Sequence, residues 1–323
     1  MNFIELSKLS MAAISSSTSK VRRWPAWLQH WSNWVFLIPA TIFFVGYMIY
    51  PILRTGWLSF TDYRYLRPGP ANFVGLQNYT YALSDPLVQT GLVRAAQFTL
   101  VFLPGMIAIP LLVAVLVDRV QNRFLATFYR IVLLIPAVIP GPMIFVMWRL
   151  IYDYEIGPIN HILVDVLGLF TRDNAPRWVG NPNLVIPAVS IFEWWWGLGY
   201  HTMFFLAGLA AIPKDLYEAA RMDGASEWQV FWNITLARLR PIMAILVVLR
   251  FGTAMAVIDE YLIFGGFNRA QPTYTWTVYM YELAFQIGDW LQGYASSIGW
   301  IGALGMLMVT AFLLWLFRNR DND

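Results

Sequence analysis

Long runs without a charged side chain dominate this sequence and limit what it can fold into. Trp34–Leu53, Ala95–Val117, Ile131–Trp148 and Trp290–Phe317 carry no Asp, Glu, Lys or Arg. Trp178–Pro213 is interrupted only by Glu193, and Ile242–Ile258 only by Arg250. About 20 apolar residues are enough to cross a hydrocarbon core of about 30 Å. The chain is 58% apolar and 13% charged, whereas soluble domains carry about 25% charged residues. The expected fold class is therefore an all-α membrane protein with about six transmembrane helices, over about 34–53, 94–117, 128–150, 184–211, 241–263 and 291–317. Prolines 39, 104, 110, 136, 140 and 187 fall in or beside these spans, where neighbouring helices can satisfy the freed backbone groups.

Six spans place both termini on one side, and cytoplasmic segments carry the Lys/Arg excess. With the N-terminus inside, the inner segments hold thirteen of the 22 Lys and Arg residues and the longer outer segments eight. Both termini are expected to be cytoplasmic. Residues 1–33 read as a cytoplasmic tail and an interfacial helix rather than a secretory signal. Trp24, Trp27, Trp31 and Trp34 recur on one helical face, and indole rings favour the headgroup zone. Residues 34–318 are the transmembrane domain and 319–323 a short cytoplasmic tail. The outer stretches 54–91 and 149–183 are long enough for a cap of short helices only.

Several chemistries are excluded. There is no Cys, and His30, His161 and His201 form no local metal-ligand pair. The Lys and Arg residues sit near the ends of apolar runs, not on one basic face, so no nucleic-acid partner is expected. The three lysines follow Ser7, Ser19 and Pro213, so none belongs to a phosphate-binding P-loop. No nucleophile–base constellation stands out, and the chain is not expected to be an enzyme.

The stretch 212–240 reads as two short helices. Asp215 and Glu218 place acidic charge early in the first. Gly224 sits where a helix-ending residue takes positive φ, and Ser226 with Gln229 has capping-box spacing. Trp228, Phe231 and Trp232 share a face of the second helix, and Pro241 is expected to open the fifth span. Glu218-Ala219-Ala220, Asp223-Gly224-Ala225, Ile234, Leu236 and Pro241 resemble the EAA loop of binding-protein-dependent ABC importers. Ala237 stands where that family usually has proline. Asp259, Leu262, Gly265-Gly266, Thr275, Tyr281, Ala284-Phe285 and Gly293-Tyr294-Ala295-Ser296 resemble the carbohydrate-type permeases, nearest the maltose-type subunit that carries the sugar site. Phe267 replaces the usual proline after the glycine pair.

This resemblance implies that Glu218, Ala219, Ala220, Asp223 and Gly224 dock in a groove of an ATP-hydrolysing subunit. It implies no cofactor on this chain, with ATP and Mg²⁺ held by partners. Those partners would be a second homologous permease, two ATPase subunits, an extracytoplasmic solute-binding protein and membrane lipid. The location would be the cytoplasmic (inner) membrane of a bacterium. The sugar contacts of the maltose-type relative fall, by counting from the EAA glutamate, on Glu193, Trp196, Gly197 and Tyr200 before the loop. After it they fall on Leu249, Gly252, Thr253 and Ala256. Glu193 replaces an amide there, so substrate identity does not carry over.

The residues themselves point to the same place. Glu193 and Arg250 both fall roughly 12–15 Å deep at 1.5 Å per residue, and intramembrane charge is usually paired or functional. Either they form an ion pair joining spans four and five, or they line a cavity. Trp196, Gly197 and Tyr200 continue the Glu193 face at i+3, i+4 and i+7, and aromatic faces with a carboxylate suit a sugar. The candidate substrate-binding set is Glu193, Trp196, Gly197, Tyr200, Arg250 and Thr253. An unpaired Arg250 would favour an acidic sugar or a sugar phosphate. Asp259 and Glu260 read as solvated caps or binding-protein contacts. The expected function is the pore-forming subunit of an ATP-driven carbohydrate importer working by alternating access. An ion-coupled secondary transporter is the alternative, and a membrane enzyme a more distant one. Both leave the EAA loop unexplained.

Overall fold

The computed structural model describes residues 37–67 and 69–318, so the interfacial helix and tail expected in 1–33 and the tail 319–323 lie outside it. The described residues are mostly helical, with one isolated β-bridge between Thr61 and Phe73. The chain divides at Thr55 and Gly56 into two compact units. In the first, residues 37–55 are helical throughout, with a π turn at Val45–Ile49 and no buried residue. They belong to helix α1, Leu37–Leu58.

The second unit opens with short α2, Gln77–Ser84, and long α3, Pro86–Asp118. Asp85 caps α3 by accepting from the Leu87 N–H at 2.8 Å, with Pro86 in the first turn. Pro104 and Pro110 lie inside α3 without ending it. Helix α4, Arg123–Val138, starts on Asn122, whose side chain accepts from Phe124 and Leu125. Helix α5, Gly141–Ile151, follows at 94° to α4. The third expected span, 128–150, is thus two helices. Ile139 is extended (φ −75°, ψ 129°) because a residue before proline is pushed out of the helical region, and Pro140 follows it.

Short helix α6, Pro158–His161, runs into a π turn at Ile162–Val166. Helix α7, Pro182–Ala210, begins on the Asn181 cap and passes through Pro187 unbroken. Helix α8, Lys214–Met222, has Asp215 in its first turn, and Gly224 beyond it takes φ +78°. Ser226 and Gln229 form the expected capping box at the start of α9, Glu227–Val230. From α9 the helix continues through a π turn, Phe231–Thr235, into α10, Leu236–Met255. Pro241 therefore lies inside a helix rather than opening one. Ala237 keeps the N–H and lacks the ring that a proline there would bring, so nothing interrupts the turn. The fifth expected span, 241–263, is also divided: α10 ends at Met255, and α11, Asp259–Phe264, begins after an irregular Ile258 (φ −140°, ψ −52°). Helices α12, Trp276–Phe285, and α13, Gln292–Arg318, complete the chain.

Among the described residues α1, α3 and α13 are long and apolar enough to cross a membrane, and the α4–α5 pair makes a fourth candidate. Helices α7 and α10 have the length, with 29 and 20 residues, but are more polar. Helix α7 is central and packs most extensively on α3, then on α4. Phe98, Phe102, Phe192 and Tyr261 belong to one buried cluster, and Leu111, Phe205, Leu239 and Leu246 to a second. Small residues permit the close approach, as at membrane helix interfaces. A side chain at Gly199 of α7 would overlap the Leu133 carbonyl of α4, and one at Gly105 of α3 would overlap the Trp194 indole.

Gly199→Val is expected to destabilise the fold by about 1–3 kcal/mol, as overpacking does, because backbone cannot yield. Gly305→Val in α13, where a Cβ meets nothing within 4 Å, is the control. Thermal unfolding of the detergent-purified protein checks this; equal melting temperatures would refute the close packing.

Candidate functional site

Helix α7 carries three consecutive tryptophans, and 100° per residue turns the first to α3 and the other two to different side chains of α5. Trp194 turns to α3, where its Nε1 donates to the Phe102 carbonyl at 2.9 Å. Trp195 packs on Trp148 of α5, with ring centroids 5.3 Å apart. Trp196 stacks on Phe192 at 6.0 Å and meets Phe145 of α5 edge-on at 5.4 Å. All three are half-buried. The site begins where this aromatic wall meets the ionisable groups of α7, α10 and α11.

Glu193 is only 8% exposed. Its Oε1 has no hydrogen-bond partner, and the same holds for Nε1 of Trp148 and Trp196 and for the Tyr261 hydroxyl. Burying such a group without a partner costs about 1–3 kcal/mol. Trp148, Trp196 and Tyr261 belong to or pack on the same buried cluster as Phe192.

Arg250 approaches α7 from α10, yet the ion pairs among the described residues do not include one with Glu193. Its Nε donates instead to His201 Nε2 at 2.7 Å. Its guanidinium carbon lies 6.0 Å from the centre of the Tyr200 ring, and Tyr200 is half exposed. Gly197 is the carbonyl to which His201 Nδ1 bonds, at 2.6 Å. Thr253 is exposed, and its hydroxyl donates back to the Arg250 carbonyl at 3.0 Å. The structure thus brings Glu193, Trp196, Gly197, Tyr200 and Arg250 to one region of α7 and α10, with Thr253 one turn beyond Arg250.

Three participants were missed by the sequence reading. His201 is fully buried and stands eight residues after Glu193, a spacing that does place it on the same face of α7. Glu260, expected as a solvated cap, is half-buried with its carboxyl beside that of Glu193. Tyr261 is fully buried against Phe98, with ring centroids 5.3 Å apart. The break at 256–258 turns these two inward, and no spacing within the fifth run foretells it.

The 212–240 stretch presents a different surface. Glu218, Ala219, Asp223 and Gly224 are exposed, and Ala220 is half-buried. Leu216 and Tyr217 anchor α8 on the second buried cluster, and the Tyr217 hydroxyl reaches Thr235 at 3.1 Å. Glu227 is held by Arg119 at 3.0 Å and Arg221 at 3.4 Å, which ties the end of α3 to α8 and α9. These residues border a cleft of about 360 Å³.

The 153–181 segment holds a second polar cluster. His161 and Arg172 flank Asp165 at 2.7 and 3.1 Å. The His161 hydrogen bond, with Arg172 beside it, holds the Asp165 carboxyl below the usual carboxylate range. Among the described residues no group of three His, Asp or Glu is arranged to hold a metal.

The indole contacts make a prediction. Trp194→Phe removes the indole's hydrogen bond to the Phe102 carbonyl and is expected to cost about 1 kcal/mol. Trp196→Phe removes an N–H that already lacks a partner and is expected to leave stability unchanged or raised. Melting temperatures of the two variants check this; an equal loss in both would contradict the assigned contacts.

Comparison with known proteins shows the family to which the chain belongs. The family described as "Binding-protein-dependent transport system inner membrane component" matches residues 90–322. The sulfoquinovosyl glycerol transport system permease protein SmoG of Agrobacterium fabrum is 29% identical over 303 residues, covering 93% of this chain and 95% of its own. The trehalose/maltose transport system permease protein MalF of Thermococcus litoralis is 30% identical over 269 residues, covering 82% and 87%. The fold matches a chain from a bacterial ABC transporter involved in the import of the acidic polysaccharide alginate. The TM-score is 0.77 at 20% identity, covering 90% of this chain and 96% of that one. That transporter also appears in complex with an alginate pentasaccharide-bound periplasmic protein, with a TM-score of 0.76 at 21% identity and the same coverage. The resemblance seen in the EAA and glycine-pair motifs therefore extends through most of the chain, which belongs to the family of binding-protein-dependent transport system inner membrane components.

Proposed function

We propose that this chain is the pore-forming permease subunit of an ATP-driven importer that carries a carbohydrate inward by alternating access. The observation that carries this reading is the exposed face of α8 and the turn after it. Glu218, Ala219, Asp223 and Gly224 stand out from the fold, while Leu216 and Tyr217 fix the helix to the buried cluster beneath. A rigidly seated knob is what one subunit needs to pass movement to another. The chain has no P-loop of its own, so ATP hydrolysis belongs to two partner subunits. A second permease of the same family completes the pore.

In this reading α1, α3, the α4–α5 pair, α7, α10 with α11, and α13 are the six crossings, and both termini are cytoplasmic. The Arg and Lys residues of 119–130, 214–221 and 238–240 then face the cytoplasm. The carbohydrate assignment is supported by the solutes of the relatives and by the site itself. Indole and tyrosine rings beside a carboxylate and a guanidinium match the apolar faces and hydroxyl rim of a sugar. Glu193, Trp196, Gly197, Tyr200, Arg250 and Thr253 line the path. A solute-binding protein, as in the alginate complex, delivers the sugar from outside. The surface it meets includes the His161–Asp165–Arg172 cluster.

Glu218→Lys in the assembled complex, reconstituted in vesicles, is the test. Uptake is expected to fall at least tenfold, with the ATPase subunits no longer co-purifying. Undiminished uptake would remove the docking role of α8 and favour an ion-coupled transporter.

A further inference from the structure

A buried histidine makes the polar contact between α7 and α10. His201 is fully buried, and both its ring nitrogens are engaged. Nδ1 lies 2.6 Å from the Gly197 carbonyl, which only accepts, so Nδ1 carries the proton. Nε2 lies 2.7 Å from Arg250 Nε, which only donates, so Nε2 accepts. The two bonds fix one neutral tautomer. Gly197 makes room for it: a Cβ there would stand 3.2 Å from the His201 ring and 2.7 Å from the Met106 methyl.

Arg250 is thereby tied by Nε alone. Its Nη groups make no hydrogen bond among the described residues, and it forms no ion pair with Glu193. Arginine presents its donors as a planar fork, so fixing Nε fixes the plane of the other two. Across the site stand Glu193 and Tyr200 of α7 and Glu260 and Tyr261 of α11, with the Glu193 Oε1 buried and unpartnered.

We propose that His201 is a positioning residue for the solute path: it holds Arg250 so that the guanidinium fork stays open to the passing solute instead of closing on Glu193. The inference rests on the carbohydrate-importer reading and deepens it. The chemistry so presented is a pair of donors facing a carboxylate acceptor. It fits adjacent hydroxyls of a sugar ring, whose oxygens accept from the fork and whose O–H donates to Glu193. With the Glu193 carboxyl near the fork and the Glu260 carboxyl beside that of Glu193, a neutral sugar is favoured over a uronic acid.

The test is a double-mutant cycle on uptake by the reconstituted complex, over a panel of neutral and uronic-acid oligosaccharides. His201→Phe and Arg250→Met are each expected to lower maximal uptake at least tenfold, and the double variant to be no worse than Arg250→Met alone. Such non-additivity is the mark of one residue acting through the other. His201→Gln, whose carboxamide oxygen can accept from Nε, is expected to restore at least half of the uptake. Arg250→Lys, which keeps the charge but not the fork, is expected to fail like Arg250→Met, and this arm does not depend on His201→Phe assembling. Additive losses, no rescue by glutamine, full uptake with lysine, or preference for uronic acids would overturn the inference alone. No uptake of any carbohydrate by the wild type would overturn the importer reading and the inference with it.

Discussion

The site depends on how closely α7 approaches its neighbours. Gly199 lets the α4 backbone lie against it, and Gly105 of α3 receives the Trp194 indole. With the helix seated in this way, its remaining faces are fixed as well. Phe192 and Trp196 meet α5, while Glu193, His201 and Tyr200 meet α10 and α11. In lipid there is no water-driven force between apolar helices, so such van der Waals fit supplies much of the association. The cost of mispacking at glycine is therefore also a cost to the geometry of the charged groups.

The polar groups follow a second logic. A soluble core would pair Glu193, the Trp148 and Trp196 indoles and the Tyr261 hydroxyl, or would not bury them. Here one oxygen of Glu193 and the other three groups have no partner, while Arg250 is held through a neutral histidine. Buried polar groups without partners are a standing destabilisation, and they persist where function needs them. The proposed solute path, closing around its solute and reopening, would supply such a need. It must offer hydrogen bonds to a passing solute without satisfying them internally.

Much of this was legible in the sequence, because lipid imposes simple rules. Uncharged runs marked the helices. Asp215, Gly224, Ser226 and Gln229 marked the start and end of α8 and the capping box that follows, because caps are local chemistry. The face of Glu193, Trp196, Gly197 and Tyr200 followed from helical periodicity. The kinks were less legible. Pro104, Pro110 and Pro187 sit in unbroken helices, whereas Pro140 ends one, and only the neighbouring Gly141 and Pro142 distinguish it. The break at 139–140 comes from Pro140 and its neighbours, whereas that at 256–258 has no such local signal, and Glu260 and Tyr261 were missed for that reason. The partner of Arg250 was missed for another. Opposite charges at equal depth suggested Glu193, but rotation about the helix axes brought His201 to it instead.

The central claim is that the solute passes between α7 and α10 beside the aromatic wall, while ATP is hydrolysed on other chains. A cryo-electron-microscopy map of the assembled complex, trapped with a transported oligosaccharide, tests it most directly. Density for a sugar within hydrogen-bond reach of Glu193 and the Arg250 fork, stacked on Tyr200 or Trp196, is the predicted result. A sugar bound elsewhere, with Glu193 and Arg250 closed on each other, would contradict it.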